Sequence, residues 1–391
     1  MNILLFHLMP YADLDLEATK SYPTTWTTLP NTFYDPKKGH ALYTRYLDEL
    51  ALGETLGFDG VCVNEHHQTA YGMMPSPTVT ASALTQRTSK VKIAILGSAL
   101  PLRTHPITVA EEHAMIDNIS GGRLISGFVR GIGAEYHTFG VNPTFSHERF
   151  HEAHDLIVRA WTEPGPFEFH GKHYHFEYVN PWPRPYQQPH PPIWIPSQGS
   201  RETIEFAADP AHKYTYLQTF SPIKQVGRYL QMYRDVAKGF GYTSTPNQLG
   251  WASMIYVGDT DESALAEAGP HFEVFRNRFL KKPLEMLLPP GYSSRESMKA
   301  IAMSKGSQTV EVDAKSAVDA GMFVCGSAKT VRETLIAYAK EIGFGNLLAM
   351  LQFGTLPADL TLRNMHRFAE EVMPGVRLAA REFQGVEIAP L

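Results

Sequence analysis

Short apolar runs recur along this chain and alternate with longer stretches whose apolar residues fall at helical spacing. The short runs are residues 2–9, 61–63, 91–96, 123–129, 193–195, 214–218, 251–257 and 347–353. Continuous runs of this kind, without polar alternation, read as parallel strands buried on both faces. Between them, residues 41–56 place Leu42, Tyr46 and Leu50 on one helical face, with Gly57 as the stop. Residues 77–84, 106–119, 147–161, 202–208, 223–238 and 360–373 read as further helices, as does a stretch that Ser327 caps and that runs to Ile342. Pro106 suits a first turn, and Ser146 is placed to cap the helix that follows it. Eight strands alternating with helices point to a closed (β/α)8 TIM barrel, since a doubly wound sheet needs fewer strands.

Three stretches interrupt the alternation. Residues 11–39 form a long polar and aromatic loop with Pro23, Pro30 and Pro36. Residues 168–178 alternate aromatic and polar positions around Gly171, which predicts a hairpin after strand four. Six prolines follow within residues 181–192, so the chain must cross there in extended form. Residues 264–321, containing Pro289-Pro290-Gly291, show no regular period and read as a lid-like insertion after strand seven. Nothing divides the chain further, so residues 1–391 are taken as one barrel domain with that insertion.

Composition removes whole classes of function. Lys and Arg total 35 against 40 Asp and Glu, a net charge of −5, which gives no basic footprint for nucleic acid. Two cysteines, Cys62 and Cys325, exclude a disulfide scaffold and a cysteine-rich metal site. The apolar start of the chain lacks a basic leader and cleavage site and reads as a first strand, not a signal peptide. No apolar run approaches the roughly 18 residues of a membrane span. The expected setting is therefore cytoplasmic.

Candidate chemistry lies at the predicted strand ends, which a barrel gathers at one mouth. Strand two stops in Asn64-Glu65-His66-His67, strand three runs into Gly97-Ser98, strand four ends at Arg130, and strand five leads into Gln198-Gly199-Ser200. Gly199 and Ser200 precede a helix, where backbone N–H groups favour an anion, and Arg130 and Arg149 supply charge suited to phosphate. Read blandly, the same residues are a serine cap and two surface arginines. No dinucleotide fingerprint and no Walker loop is present, which favours a phosphate-bearing cofactor held outside a Rossmann unit. Neither His147-His151-His154 nor His170-His173-His175 has a recognised metal spacing, so both sets are read as structural or solvated and no metal is expected. No Gly-x-Ser-x-Gly occurs, and Cys62 reads as a packed residue of strand two.

Four segments in order resemble the bacterial luciferase-like, flavin-dependent monooxygenases: residues 59–67, residues 91–101 with His105-Pro106 beyond, residues 121–131, and residues 326–335. The resemblance implies a barrel that binds FMN, as FMNH2, at its carboxyl mouth and that is commonly a homodimer. It implies His66 as the catalytic histidine beside the flavin; Glu65 and His67, which share the other face of the strand, are read as holding it in place. Arg130 and Arg149 are the implied phosphate arginines, Gln198, Gly199 and Ser200 the implied phosphate loop, and Leu96-Gly97 the implied place of a non-proline cis peptide. Val129 stands where luciferase carries a cysteine, so light emission is not implied.

The activity implied is oxygenation of a mostly apolar small organic substrate by FMNH2 and O2 through a flavin peroxide. A separate NAD(P)H-dependent flavin reductase would supply the FMNH2, since the chain has no nicotinamide motif of its own. In this picture residues 264–321 close as a lid, and the aromatic loop lines an apolar pocket with Trp26 and Phe33. A deazaflavin (F420)-dependent oxidoreductase on the same barrel and a non-catalytic flavin-binding relative are the alternatives. FMN binding with oxygen consumption discriminates between them.

Overall fold

In the computed structural model, which describes residues 1–292 and 311–384, eight parallel strands close on themselves. The strands in chain order are β1 (Asn2–Phe6), β2 (Gly60–Val63), β3 (Lys92–Ala99), β4 (Leu124–Val129), β5 (Phe167–His170) and β6 (His175–Val179). They continue with β7 (Ile193–Ser197), β8 (Thr215–Thr219), β9 (Leu249–Gly258), β10 (Phe323–Ser327) and β11 (Asn346–Met350). The ring runs β1-β2-β3-β4-β7-β8-β9-β11, and β11 returns to β1 in a register from Asn2 with Asn346 to Leu5 with Ala349. Every residue of β1, β2, β9 and β11 is buried. That is why these strands read as unbroken apolar runs: both faces are covered, one by the barrel interior and one by helices.

The helices are α1 (Pro36–Thr55), α2 (Pro77–Arg87), α3 (Ile107–Ser120), α4 (Gly133–Phe139), α5 (Ser146–Thr162), α6 (Arg201–Ala208) and α7 (Ile223–Gly239). Then come α8 (Asp261–Val274), α9 (Leu284–Leu287), α10 (Ala314–Asp319), α11 (Ala328–Ile342), α12 (Ala358–Arg367) and α13 (Met373–Gln384). Ser327 caps α11 by accepting from the Thr330 amide, and Gly57 ends α1 with a positive φ, both as the sequence suggests. The hairpin β5–β6 also forms where alternation predicts it.

Several expectations need correction. The helix α1 begins at Pro36, not within a loop, because Asp35 accepts from the Lys37 and Lys38 amides and Pro36 fits the first turn. Residues 264–321 are not irregular throughout. The helix α8 runs through Val274 and passes into a π-helical turn, Phe275–Phe279. Pro270 inside α8 breaks the helical period in the sequence without ending the helix. The end of that segment holds α10, and the missed strand β10 starts two residues beyond it. Met254 of β9 is paired with both Met350 of β11 and Phe323 of β10, so β9 outruns the barrel and β10 takes up its far end. The middle of the expected lid, residues 293–310, lies outside the described residues.

What positions the site is the way two long connections meet over the mouth. In the loop after β1, Trp26 bridges to Thr69, and its indole Nε1 donates to Phe279 O at 2.7 Å. Thr24 donates to Lys281 O at 2.8 Å. These bonds tie the first loop to the segment after α8, closing one side of the barrel mouth with buried aromatic surface.

Candidate active site

A cavity opens at the carboxyl ends of the strands, with about 1210 Å³ free of protein atoms, part of it open to solvent. Its floor is made by Phe6, Leu217 and Leu348 from β1, β8 and β11. Of the residues singled out in the sequence, His66, Leu96, Gly97, Arg130, Gln198 and Ser200 all line it. Gly199 lies between two lining residues but turns its own Cα toward the Tyr229 ring. The Leu96–Gly97 peptide is cis. At this crossing β3 and β4 nearly touch: a Cβ on Gly97 would lie 2.6 Å from the Gly127 carbonyl carbon, so neither strand tolerates a side chain there.

His66 is partly buried, and its Nδ1 lies 2.9 Å from Glu135 Oε1. Glu135 is 1% exposed, and its other oxygen accepts from the Ile132 amide at 2.8 Å. A carboxylate fixed in this way accepts a hydrogen bond from Nδ1–H, which selects that tautomer and leaves Nε2 as the free ring nitrogen. The imidazole is further confined by Trp26 and Tyr71, with ring centroids 5.2 and 5.0 Å away. Glu65 and His67 do not hold His66, contrary to the sequence reading. They pair with each other at 2.9 Å, and Glu65 also accepts from Arg103. Their network braces the end of β3 through the Ala99 amide. Asn64, also in the wall, has a buried Oδ1 without a hydrogen-bond partner.

The polar end of the cavity lies between β4 and β7. Arg130 donates through Nη1 to Ser146 Oγ at 3.1 Å and to Tyr292 O at 2.9 Å, with its guanidinium 4.3 Å from the Tyr292 ring centroid. Ser146 therefore begins α5 but serves Arg130, not the helix end it was expected to cap. Ser197 lines the cavity from the end of β7, and Ser200 and Thr203 line it from the start of α6. Ser200 caps that helix by accepting from the Thr203 amide at 3.1 Å, and its hydroxyl donates to Glu202. The structure does not bring Arg149 to the cavity. Its Nε and Nη2 donate to Pro101 O and Arg103 O, both at 2.9 Å, and its guanidinium lies over Tyr174.

Behind Arg130 a smaller cavity is lined by His147 and His151. Burial, helped by the nearby Arg130 charge, holds His147 down at about 4. His154 bonds the Tyr214 hydroxyl at 2.8 Å inside a cluster of rings. Among the described residues one trio is close enough to share a cation, Glu168, His170 and Glu177, all exposed on the hairpin and outside the cavity wall. Trp26 lines the cavity as expected, whereas Phe33 packs against Tyr22 instead.

Sequence reasoning missed Glu135, Tyr71, Lys282 and Tyr292. Only Glu135 carried a usable signal. It lies in a short segment bounded by Gly133 and Gly140, and Gly140 has the positive φ of a helix stop.

A profile of the luciferase-like monooxygenase family matches residues 28–344. The chain is 30% identical over 346 residues to an uncharacterized protein, y4wF, of Sinorhizobium fredii, covering 86% of this chain and 94% of that one. It is 26% identical over 248 residues to the oxygenase component of a flavin-dependent trigonelline monooxygenase of Acinetobacter baylyi, covering 63% and 67%. Its fold matches the oxygenating constituent of 3,6-diketocamphane monooxygenase of Pseudomonas putida, solved with FMN, at a TM-score of 0.73 and 19% identity over 96% and 98% of the two chains. The coenzyme F420-dependent tetrahydromethanopterin reductase of Methanopyrus kandleri shares the fold at a TM-score of 0.63 and 19% identity over 85% and 95%. By its strand order, its cavity and its sequence, the chain belongs to the luciferase-like monooxygenase family.

Proposed function

We propose that this protein is the oxygenase of a two-component system, using FMNH2 and O2 to oxygenate a small, largely apolar organic molecule. The observation that carries the reading is that one cavity holds the His66–Glu135 pair and, in another part of its wall, the Arg130 guanidinium with the hydroxyls of Ser197 and Thr203. The residues fit FMN. Arg130 with the hydroxyls of Ser197 and Thr203 beside a helix start suits a phosphate. Asn64 Oδ1, a buried acceptor lacking a donor, costs about 1–3 kcal/mol until a group such as a flavin ring N–H meets it. The two relatives above, one named a flavin-dependent oxygenase component and one solved with FMN, support the same reading.

Bound reduced flavin would supply the electrons that activate dioxygen. The chain's own residues do the rest. Glu135 fixes the imidazole so that His66 Nε2 faces the cavity and can accept or return a proton there. Trp26, Tyr71, Leu287 and Leu288 surround that position with apolar surface, which keeps water from the reacting oxygen. The electrons come from a separate NAD(P)H-dependent flavin reductase, and the reading extends to a cytoplasmic homodimer. Among the described residues no helix is long and apolar enough to cross a membrane.

The test supplies FMN, NADH and a purified flavin reductase to the protein with a panel of small organic substrates, following oxygen uptake, hydrogen peroxide and product. Oxygenated product from the wild type, replaced by peroxide in His66→Ala, is the expected result. No product with any substrate, or oxidation of F420H2 without oxygen uptake when F420H2 replaces FMN, NADH and the reductase in a parallel assay, would overturn it.

A further inference from the structure

The cavity wall contains a cation that the chemistry above does not use. Lys282 is 7% exposed and lines the cavity. Its ammonium donates to Leu280 O at 3.0 Å and lies 4.2 Å from the centroid of the Trp26 ring. Trp26 in turn contacts the His66 ring, so the lysine and the histidine border the same part of the cavity. Among the described residues no carboxylate is within ion-pair distance of Lys282. The acid that influences it, Glu135, is committed to His66 and to the Ile132 amide.

A second buried cation stands nearby. Arg276, 6% exposed on the π-helical turn, has an Nε without any hydrogen-bond partner. Burial pushes the Lys282 amine down to about 7; Glu135 opposes this and the charge of Arg276 adds to it. Arg276 does not line the cavity, but its charge adds to the cost of burying Lys282 without a counter-ion, and an ammonium held in a cavity wall in this way is placed to meet an anion. The single ammonium presents no backbone nest or arginine fork, as the Arg130 end does, so a singly charged carboxylate suits it better than a phosphate.

We propose that the molecule oxygenated in this site carries a carboxylate, which pairs with Lys282 while its organic body lies along Trp26 toward His66. That this molecule is the substrate rests on the oxygenase reading; that the cavity prefers an organic carboxylate does not.

The experiment uses flavin-free full-length protein and three matched pairs: benzoate and benzamide, phenylacetate and phenylacetamide, cyclohexanecarboxylate and its amide. Equilibrium binding is measured for the wild type, Lys282→Met and Lys282→Arg. At least one carboxylate is expected to bind tenfold or more tightly than its amide, with the preference lost in Lys282→Met and kept in Lys282→Arg. Circular dichroism of each variant confirms that it is folded. Amides binding as well as carboxylates, a preference that survives Lys282→Met, or no binding by any member of the panel would overturn the proposal. FMN titrated into the wild type in parallel separates the two readings: carboxylate preference without FMN binding removes the oxygenase reading and leaves the anion site standing.

Discussion

His66 and Glu135 are 69 residues apart in the chain, and their side chains meet at 2.9 Å from the connections that follow β2 and β4, the two strands that flank β3. The glutamate is a positioning residue: it acts on the reaction only through the ring it orients. Glu135→Ala is expected to lower kcat about tenfold to hundredfold, roughly 1.4–2.7 kcal/mol, and to shift the pH profile of the rate. Glu135→Gln keeps one hydrogen bond and loses less. His66→Ala should lose about 10²–10⁴-fold. A merely structural Glu135 would change stability and leave the pH profile of kcat in place.

The two arginines separate cleanly by geometry. Arg130 is held in the cavity wall by Ser146 and Tyr292, whereas Arg149 donates to two main-chain carbonyls outside it. Arg130→Ala should weaken FMN binding by about 10–150-fold, the value of a charged hydrogen bond. Arg149→Ala should cost folding stability and leave FMN affinity within a few-fold of wild type. Equal losses of affinity in the two variants would contradict this placement.

His113 makes the fold sensitive to acid. It is fully buried between Ser98 Oγ and Ser126 Oγ, at 3.1 and 3.0 Å, and burial holds its pKa down at about 3. The unfolded chain takes up this proton near its usual value of about 6.5. Between those two values the unfolded state binds more protons, so stability falls as pH falls, by at most about 1.4 kcal/mol per unit. Urea melts from pH 7 to pH 4 should show at least that slope, since His147 adds to it, and His113→Asn should make it shallower.

Much of this was legible from residues alone. The eight barrel strands announce themselves because burial on both faces demands continuous apolar runs, and His66, Arg130 and Ser200 announce themselves by ending such strands. Glu135 carried only the signal of its short glycine-bounded segment, because α4 is only seven residues long and its carboxylate gains a role only when folding brings together the connections after β2 and β4, with β3 between the two strands. Arg149 was misleading for the opposite reason. It sits in the right part of the sequence, but its guanidinium reaches the carbonyls of Pro101 and Arg103. Lys282 lay inside a stretch without period, where sequence offers no face to assign it to.

Gly199 tests the polar end without touching a charge. Its φ is +100°, and a Cβ there would lie 2.2 Å from the Tyr229 ring. Gly199→Ala should therefore displace the turn that presents Ser200 and Thr203. FMN affinity is expected to fall about tenfold or more, about 1.4 kcal/mol, with a smaller loss in melting temperature. An unchanged FMN titration would show that the turn has no part in the phosphate end.

The proposed function requires that the cavity hold reduced FMN with its phosphate at the Arg130 end and its ring toward His66. The most direct measurement is an anaerobic titration of the wild type with reduced FMN, reduced riboflavin and F420H2. The account predicts reduced FMN as the tightest ligand, with reduced riboflavin, which lacks the phosphate, weaker by about tenfold or more and indifferent to Arg130→Ala. Riboflavin binding as tightly as FMN, or F420H2 binding more tightly than either, would contradict it.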